Sequence, residues 1–591
     1  MKRTHTCGQL RAENAGQQVK LAGWVQHIRD FGGVLFVVLR DRYGETQITF
    51  MPENEEVFQL ASTLHPQDVI GIEGTVVMRP QQARNPNMPT GDIEVVAEKL
   101  EIFSRAETSP FPIEDETTAM EDTLLRYRYL DLRRPVMQKN IYIRHKCMQA
   151  AREFLNANDF WEIEPPYLVK STPEGARDFV VPSRNFPGKF YALPQSPQLY
   201  KQTFMVAGFD RYYHLARCFR DEDLRADRQP EFTQIDLEMS FVDPEDVMTL
   251  AEELLAHIML KVKGYVLPLP LPRMSYDEAV RRFGTDKPDL RIKQEIHDIT
   301  DIVPGCGFKV FEGAIESGGV VRVLPMPSAD KFSRKKIDQL TKLAQEWGAK
   351  GLAFTKFDGE KFDGGIAKFL GEDFRRALAE RLGEQLTPNT ILFFGADKPD
   401  IVAKVLGGLR TMLAKELGIV DTSQHHALWI VNFPLFEENE DSPTGISPAH
   451  HPFTSPVEED IPLLDENPLA VRANAYDLVL DGYEIAGGSI RIYDPALQKK
   501  IFELIGISPQ EAEEKFGFLL ESFRYGVPPH GGIAFGFDRL VMILAGAESI
   551  RDVIAYPKTT SGQSLMDGAP SEIDPKQLEE LHIKIVDDKD R

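Results

Sequence analysis

Cysteine is scarce. The 591 residues hold four, Cys7, Cys147, Cys218 and Cys306, far apart and with no C-x-x-C pair. That spacing excludes a zinc ribbon on paired cysteines and any disulfide framework, and it fits a reducing compartment. Long apolar runs are also missing: stretches such as Leu540 to Ala545 fall far short of the roughly 18 residues a spanning helix needs. The opening MKRTHTCGQL lacks the apolar stretch of a secretory signal, so a soluble cytoplasmic protein is expected, with no membrane partner. Positive charge is short overall, 68 Lys and Arg against 91 Asp and Glu for a net −23. Broad nonspecific binding to nucleic acid is thereby excluded, because phosphate contacts need local cations. Residues 1–50 are the exception, with seven basic residues against four acidic ones, and a localised contact with RNA or DNA survives there.

What is present is ordinary for globular protein, 42% apolar and 27% charged, and the length suggests about four folded units. From Gln18 to Ser104 the pattern is β: VKLAGWV, VLFVVLRD, QITFM, a helical interval near Glu55 to Leu64, DVIGIEGTVVM and IEVVAEKLEIF. Five strands with a helix between the third and fourth is the order of an OB-fold barrel, a platform for single-stranded nucleic acid, placed at residues 1–105. A stretch rich in proline and acids reads as a linker or hinge, residues 106–140. A helix follows, with Ile143, Cys147, Ala150, Ala151, Phe154 and Leu155 on one apolar face, and the mixed α+β pattern runs over 141–288. Residues 289–421 change texture and read as a self-contained α+β insert, 422–556 return to Gly-rich strands, and 557–591 form an acidic C-terminal extension.

Two blocks can carry chemistry. In RYYHLARCFRDEDLRADRQPEFTQIDLEMSF, residues 211–241, a strand ends at Phe219, a charged loop follows, and a second strand places Gln234, Asp236 and Glu238 on one face. That face is either solvated or a polar floor with two carboxylates. In GGIAFGFDRLVMIL, residues 531–544, a Gly-rich strand enters a helix whose first turn holds Asp538 and Arg539. Such a turn either packs tightly or binds phosphate, since helix N–H groups, dipole and guanidinium favour one anion.

FRDE at 219–222 and GFDR at 536–539 resemble motifs 2 and 3 of the class II aminoacyl-tRNA synthetases, and the helix with FWEIEPPYL at 160–168 resembles motif 1. PEGARDF (173–179), ALPQSPQLYKQ (192–202), RADRQPEFTQIDLE (225–238), HHPFTSP (450–456) and GYEIAGGSIRI (482–492) are similar to the bacterial-type aspartyl-tRNA synthetases. The insert carries Gly395-Ala396-Asp397, for which that family's inserted domain is named.

The resemblance implies a two-step reaction: aspartate and ATP give aspartyl-adenylate and pyrophosphate, and tRNA then accepts the aspartyl group. It implies Arg220 and Arg539 as catalytic residues. The aspartate site would be Glu174, Ser196, Gln198, Lys201, Arg220, Asp236, His450 and Arg491, with Lys201 and Arg491 clamping the side-chain carboxylate. The ATP site would be Arg220, Asp221, Glu222, Gln229, Glu484, Gly536, Phe537, Asp538 and Arg539. Glu238, Asp477 and Glu484 would hold Mg2+. Glu484 and Arg491 have opposite parity, so both can face inward only across a bulge, expected at Gly487-Gly488.

By the resemblance, Phe36 and Gln47 match positions that stack on and hydrogen-bond anticodon bases and Arg29 matches a nearby basic contact, although the run VLFVVL by itself assigns Phe36 to the core. His27-Ile28-Arg29 stands where the family often has a run of arginines, and Pro165 replaces the motif 1 threonine. Taken alone, His450-His451 reads more readily as a packed loop or core pair, and Lys201 and Arg491 as surface charges. The implied partners are tRNA(Asp), with tRNA(Asn) on the looser form of the family, and a second copy of the chain through motif 1. Alternatives are an asparaginyl- or lysyl-tRNA synthetase, which the insert and the Lys201–Arg491 pair disfavour, or an inactive RNA-binding regulator on the same scaffold.

Overall fold

The computed structural model describes residues 1–172, 176–224 and 227–586. It divides into two compact units, one of residues 1–139 with 564–567, the other of residues 140–563 and those from 568 onward. The first is built on a closed barrel of β1 (Gln18–Phe31), β2 (Val34–Asp41), β3 (Gly44–Phe50), β4 (Val69–Met78) and β5 (Ile93–Ser104) in the order β1-β2-β3-β5-β4. Helix α1 (Glu55–Ala61) lies between β3 and β4, the order expected of an OB-fold.

Strand alternation decides what fills the barrel. Val19, Leu21 and Val25 of β1, Leu35, Val37 and Leu39 of β2 and Ile70, Ile72 and Val76 of β4 are buried. Phe36 has the opposite parity and lies half-buried on the outer face, which corrects its assignment to the core. At Gly74 a Cβ would sit 2.2 Å from the Val96 carbonyl oxygen, so β4 and β5 close there only on glycine. Within this unit the segment 106–139, expected as a linker or hinge, carries two short helices, Glu121–Arg126 and Arg128–Asp131. It is also tied down: Gln26 donates to the Ile113 carbonyl at 3.1 Å, and Arg133 lies over Trp24 at 5.3 Å.

The second unit centres on an eight-stranded sheet of β6 (Trp161–Glu162), β7 (Arg211–Phe219), β8 (Glu231–Ser240), β9 (Arg273–Ser275), β10 (Ala427–Val431), β11 (Ala475–Leu480), β12 (Tyr483–Ile490) and β13 (His530–Gly536). Its order is β9-β10-β11-β12-β13-β8-β7-β6. Helices α2 (Pro135–Ala157), α3 (Gln198–Val206), α4 (Pro244–Lys263) and α5 (Phe537–Ala545) pack around it. The apolar face of α2, with Cys147, Ala151 and Leu155, joins α4 and α5 over Ile235, Leu237, Leu478 and Phe535 in the core beneath one face of the sheet. Asp243 caps the start of α4 by accepting from Asp246 N at 3.0 Å, and Gly264, at φ +67°, ends it. The other face of the sheet carries the polar residues of the site.

Between β9 and β10 the chain builds an antiparallel sheet of its own, in the order His297–Asp298, Val320–Pro327, Thr390–Asp397, Ala353–Phe357, Phe362–Asp363. Each face has a separate core, one under helix Pro399–Leu417 and the other under helices Lys309–Glu316 and Glu372–Leu382. Both ends of this insert grip the turn between β11 and β12. Arg291 reaches Asp481 Oδ2 at 3.5 Å, His425 Nδ1 lies 2.6 Å from the same oxygen, and His426 N donates to Oδ1 at 2.9 Å. The fully buried Arg410 donates to the carbonyls of Asp289, Ile292 and Gln294 at 3.0, 2.8 and 2.6 Å, which satisfies the incoming backbone.

Candidate active site

On β8, Ile235 and Leu237 enter the core while Asp236 and Glu238 point the other way, and both carboxylates are buried. The polar face is therefore a floor beneath other structure. Lys201, from α3, sits 2.7 Å from Asp236 Oδ1 and 3.4 Å from Glu238 Oε2. Arg491, just past β12, grips Glu238 with Nε to Oε1 at 2.9 Å and Nη2 to Oε2 at 3.1 Å. Its Nη1 donates to His451 Nε2 at 2.7 Å and to Ser489 Oγ at 2.6 Å. Two cations thus meet two anions out of water. Room for the Glu238 carboxylate exists because position 532 on β13 is glycine, where a Cβ would fall 2.0 Å from Oε2.

Above this floor lies a cleft of about 560 Å³ lined by Ser196, Gln198, Lys201, Asp236, His450 and Arg491, among others. A second cleft, of about 240 Å³, is lined by Glu222, Phe232, Gly536 and Arg539, among others. Arg220, Gln234, Glu484 and Ala534 line both, so the two join there. The Arg220 guanidinium lies over the Phe232 ring at 5.0 Å. Arg539 donates from Nη1 to the Glu484 carbonyl and pairs with Asp227 at 3.2 Å.

Asp477 and Glu484 lie on the same face of the β11–β12 hairpin, and a Cβ at Gly487 would be 2.8 Å from Asp477 Oδ1 and 3.8 Å from Glu484 Oε1. The bulge that allows Glu484 and Arg491 to face one way is real but lies at Ile485, which the register skips, and not at Gly487-Gly488. Burial, then the neighbouring Glu484 carboxylate, pushes the Asp477 carboxyl well above the usual carboxylate range. Burial would raise Glu238 as well, but Arg491 and then Lys201 outweigh it and hold it below its ordinary value. Burial also lowers the His450 imidazole to about 4, and burial and then Arg491 hold His451 far below its ordinary value, so both rings are neutral near pH 7.

Several expected residues serve other ends. Glu238 does not line the cleft, and Arg491 occupies both of its oxygens, so it is no metal ligand. Asp221 turns away from the second cleft toward Arg177, at 3.7 Å, because its neighbours Arg220 and Glu222 take the inward parity. Gln229 lines the second cleft, yet its amide is spent on the Lys558 backbone, accepting at 2.7 Å and donating at 3.0 Å. Phe537 is buried in the core, whereas Asp538 lines the second cleft and also accepts from Thr233 N at 2.8 Å and from Arg144 at 2.5 Å, tying helix α5 to β8. Glu174 lies outside the described residues. Phe232 is a cleft residue the sequence reading passed over, although it shares the parity of Gln234. Tyr276 and Asp286 reach the first cleft from distant segments and left no local signal.

In the first unit, Arg29 of β1 stands directly opposite Phe36 of β2, and Phe36 opposite Thr49 of β3. Gln47, opposite Val38, donates to Glu94 Oε2 at 2.6 Å, and Thr49 donates to the same oxygen at 2.8 Å. Arg29, Phe36 and Gln47 therefore occupy adjoining strands on the outer face of the barrel.

Comparison with known proteins agrees with this layout. Residues 120–560 match the family described as tRNA synthetases class II (D, K and N), and residues 19–103 match the OB-fold nucleic acid binding domain. The chain is 52% identical over 587 residues to the aspartate–tRNA(Asp/Asn) ligase of Anoxybacillus flavithermus and 51% identical over 588 residues to the aspartate–tRNA ligase of Geobacillus kaustophilus, covering 99% of each. The crystal structure of asparaginyl-tRNA synthetase from Pyrococcus horikoshii complexed with asparaginyl-adenylate shares the fold, with a TM-score of 0.60 at 22% identity over 95% of this chain and 99% of that one. With two joined clefts on a sheet whose six central strands are antiparallel, a barrel earlier in the sequence and relatives at half identity over 99% of their length, the chain belongs to the class II tRNA synthetases of the D, K and N family, among the bacterial aspartate–tRNA ligases.

Proposed function

We infer that this protein activates L-aspartate with ATP and transfers it to tRNA. The observation that carries the reading is the junction of the two clefts at Arg220 and Glu484, one cleft lined for an acidic amino acid and the other for a nucleotide. Lys201 and Arg491 keep donors for a further carboxylate: after their partners are counted, each retains one N–H. An asparagine amide would set its own N–H groups against these donors, and a lysine side chain would meet two cations. Ser196, Gln198 and Asp236 would take the α-amino group.

The α-carboxylate would then lie beside Arg220, in line with the α-phosphorus of ATP. Its oxygen forms the new bond to phosphorus as the bond to the bridging oxygen breaks, and pyrophosphate leaves toward Arg539. A hydroxyl of the terminal adenosine of tRNA next attacks the aspartyl carbonyl and releases AMP. Arg220 is placed to neutralise charge on both reacting groups, and Arg539 to hold the distal phosphates. Asp477 and Glu484 suit Mg2+, because they are adjacent carboxylates and the buried Asp477 holds its proton more tightly than usual beside Glu484, a strain a hard cation relieves, and the ion would neutralise phosphate charge when bound.

We further assign residues 1–105 to anticodon binding and 106–140 to a hinge, with 141–288 and 422–556 as the two catalytic segments, 289–421 as the insert and 557–591 as the C-terminal extension. The outward placement of Arg29, Phe36 and Gln47 supports the anticodon assignment. A cytoplasmic location is supported by four buried, unbridged cysteines and by the lack, among the described residues, of any helix long and apolar enough to cross a membrane. A homodimer is supported by FWEIEPPYL, whose Trp161, Tyr167 and Leu168 are exposed at the edge of the sheet, with Phe209 5.9 Å from Trp161. The apolar face of α2 lends nothing to such an interface, being spent on the core. Both tRNA(Asp) and tRNA(Asn) are proposed acceptors, since His27-Ile28-Arg29 anchors backbone phosphate with fewer cations than an arginine run.

Pyrophosphate exchange tested with each amino acid should respond to aspartate and not to asparagine or lysine. Arg491→Leu should raise the aspartate KM by about a hundredfold or more, the loss of a charge-assisted pair, with the ATP KM near normal. Unchanged aspartate kinetics would remove Arg491 from the clamp. Asp477→Asn should leave or raise thermal stability at pH 7 without added cation. A carboxyl raised in the folded state makes stability fall as pH climbs from about 4 through its raised value. The same variant should need about ten times more magnesium for half-maximal exchange, and the wild-type magnesium requirement should fall with rising pH, since the ion needs the ionised form. A magnesium requirement unmoved by the substitution overturns that role. Sedimentation should give twice 66.8 kDa and, for Trp161→Glu, a shift toward the single-chain mass; a fully active monomer would refute the dimer. Charging of the two purified tRNAs should differ by less than about a hundredfold, or roughly 2.7 kcal/mol, and a larger preference for tRNA(Asp) overturns the dual range.

A further inference from the structure

Behind the aspartate cleft runs a chain of hydrogen bonds that the reaction as described does not use. Gln198 lines the cleft, and its Nε2 donates to Gln202 Oε1 at 3.0 Å. The two residues are one helical turn apart on α3, so their side chains meet on the same face. Gln202 is fully buried, and its Nε2 lies 3.0 Å from Nε2 of His530, the first residue of β13. On the far side of that ring, Nδ1 lies 2.8 Å from the carbonyl oxygen of Pro528.

The directions of these bonds follow from the last link. A carbonyl can only accept, so His530 Nδ1 carries the proton, and in a neutral ring Nε2 must then accept. Burial favours the neutral ring. Gln202 therefore turns its NH2 to His530 and its oxygen to Gln198. That oxygen can only accept, so Gln198 turns its NH2 inward, and its own Oε1 is left as the atom available to the cleft. We propose that Gln202 and His530 are positioning residues that lock the Gln198 amide so that its oxygen, rather than its nitrogen, meets the α-ammonium group of the substrate. Without them the amide could rotate by half a turn and present N–H donors to a cation. The proposal rests on the reading that Gln198 takes the α-amino group.

The test uses the full-length enzyme and compares aspartate with succinate, which has both carboxylates and no amino group. Gln202→Met keeps the volume and removes both hydrogen bonds. It should raise the aspartate KM about tenfold while leaving the ATP KM and the inhibition constant of succinate within about twofold. Gln198→Met should show the same selectivity, and the double variant should be no worse than Gln198→Met alone, as expected of residues acting through one another. Should Gln202→Met not fold, His530→Phe keeps a ring, removes both nitrogens and carries the same expectations. Equal weakening of aspartate and succinate would mean a merely structural role and overturns the proposal. If Gln198→Met weakens aspartate and Gln202→Met does not, the relay fails while the substrate reading stands. If Gln198→Met changes nothing, that reading fails and the proposal falls with it.

Discussion

Two positive and two negative side chains, Lys201, Arg491, Asp236 and Glu238, are buried together on one face of the eight-stranded sheet, and most of the site is arranged to make that tolerable. Taking ions out of water costs several kcal/mol each, and removing one partner of such a set leaves an uncompensated charge that costs a folded protein about 3–5 kcal/mol. The geometry around the set meets this demand. Gly532 clears space for a carboxylate, Ser489 and His451 take two of the three guanidinium donors that Glu238 leaves, and the histidine stays neutral beside a cation. A substrate that brings another carboxylate enters a site whose donors are already aligned, which is the preorganisation that makes electrostatic binding strong in a dry cleft.

Much of this was legible from the strand period. Alternation alone places Gln234, Asp236 and Glu238 on one face, and a single bulge is required before Glu484 and Arg491 can share another. Alternation cannot place the bulge, because Ile485 is an ordinary apolar residue and the glycines two positions on look better suited. It cannot say whether a polar face is wet or dry either, since that depends on α3 and on residues past position 430. Two of the expected residues are engaged by distant partners. Gln229 is occupied by Lys558, 329 positions away in sequence, Glu238 by Arg491, 253 positions away, and no local pattern records such partners. Phe36 failed differently: a run of six apolar residues hides its own parity.

The barrel and the catalytic sheet solve separate problems with different surfaces. On the proposed assignment, base recognition would use an outer face with an aromatic ring and few, well-spaced polar groups, and the apolar interior of the barrel leaves its outer positions free to vary. Activation needs buried charge, and only a large sheet backed by a continuous core can hold it without solvent.

The insert is joined to the sheet in a particular way. Its incoming segment, through Arg291, and its outgoing segment, through His425 and His426, hold the same Asp481, so its two ends are held side by side. Closing a long excursion at a single point costs entropy that grows only slowly with its length. The catalytic sheet is thus nearly indifferent to how much chain is threaded between those ends. A body of another size could be exchanged there in evolution or by design, provided it returned an arginine and a histidine to one aspartate.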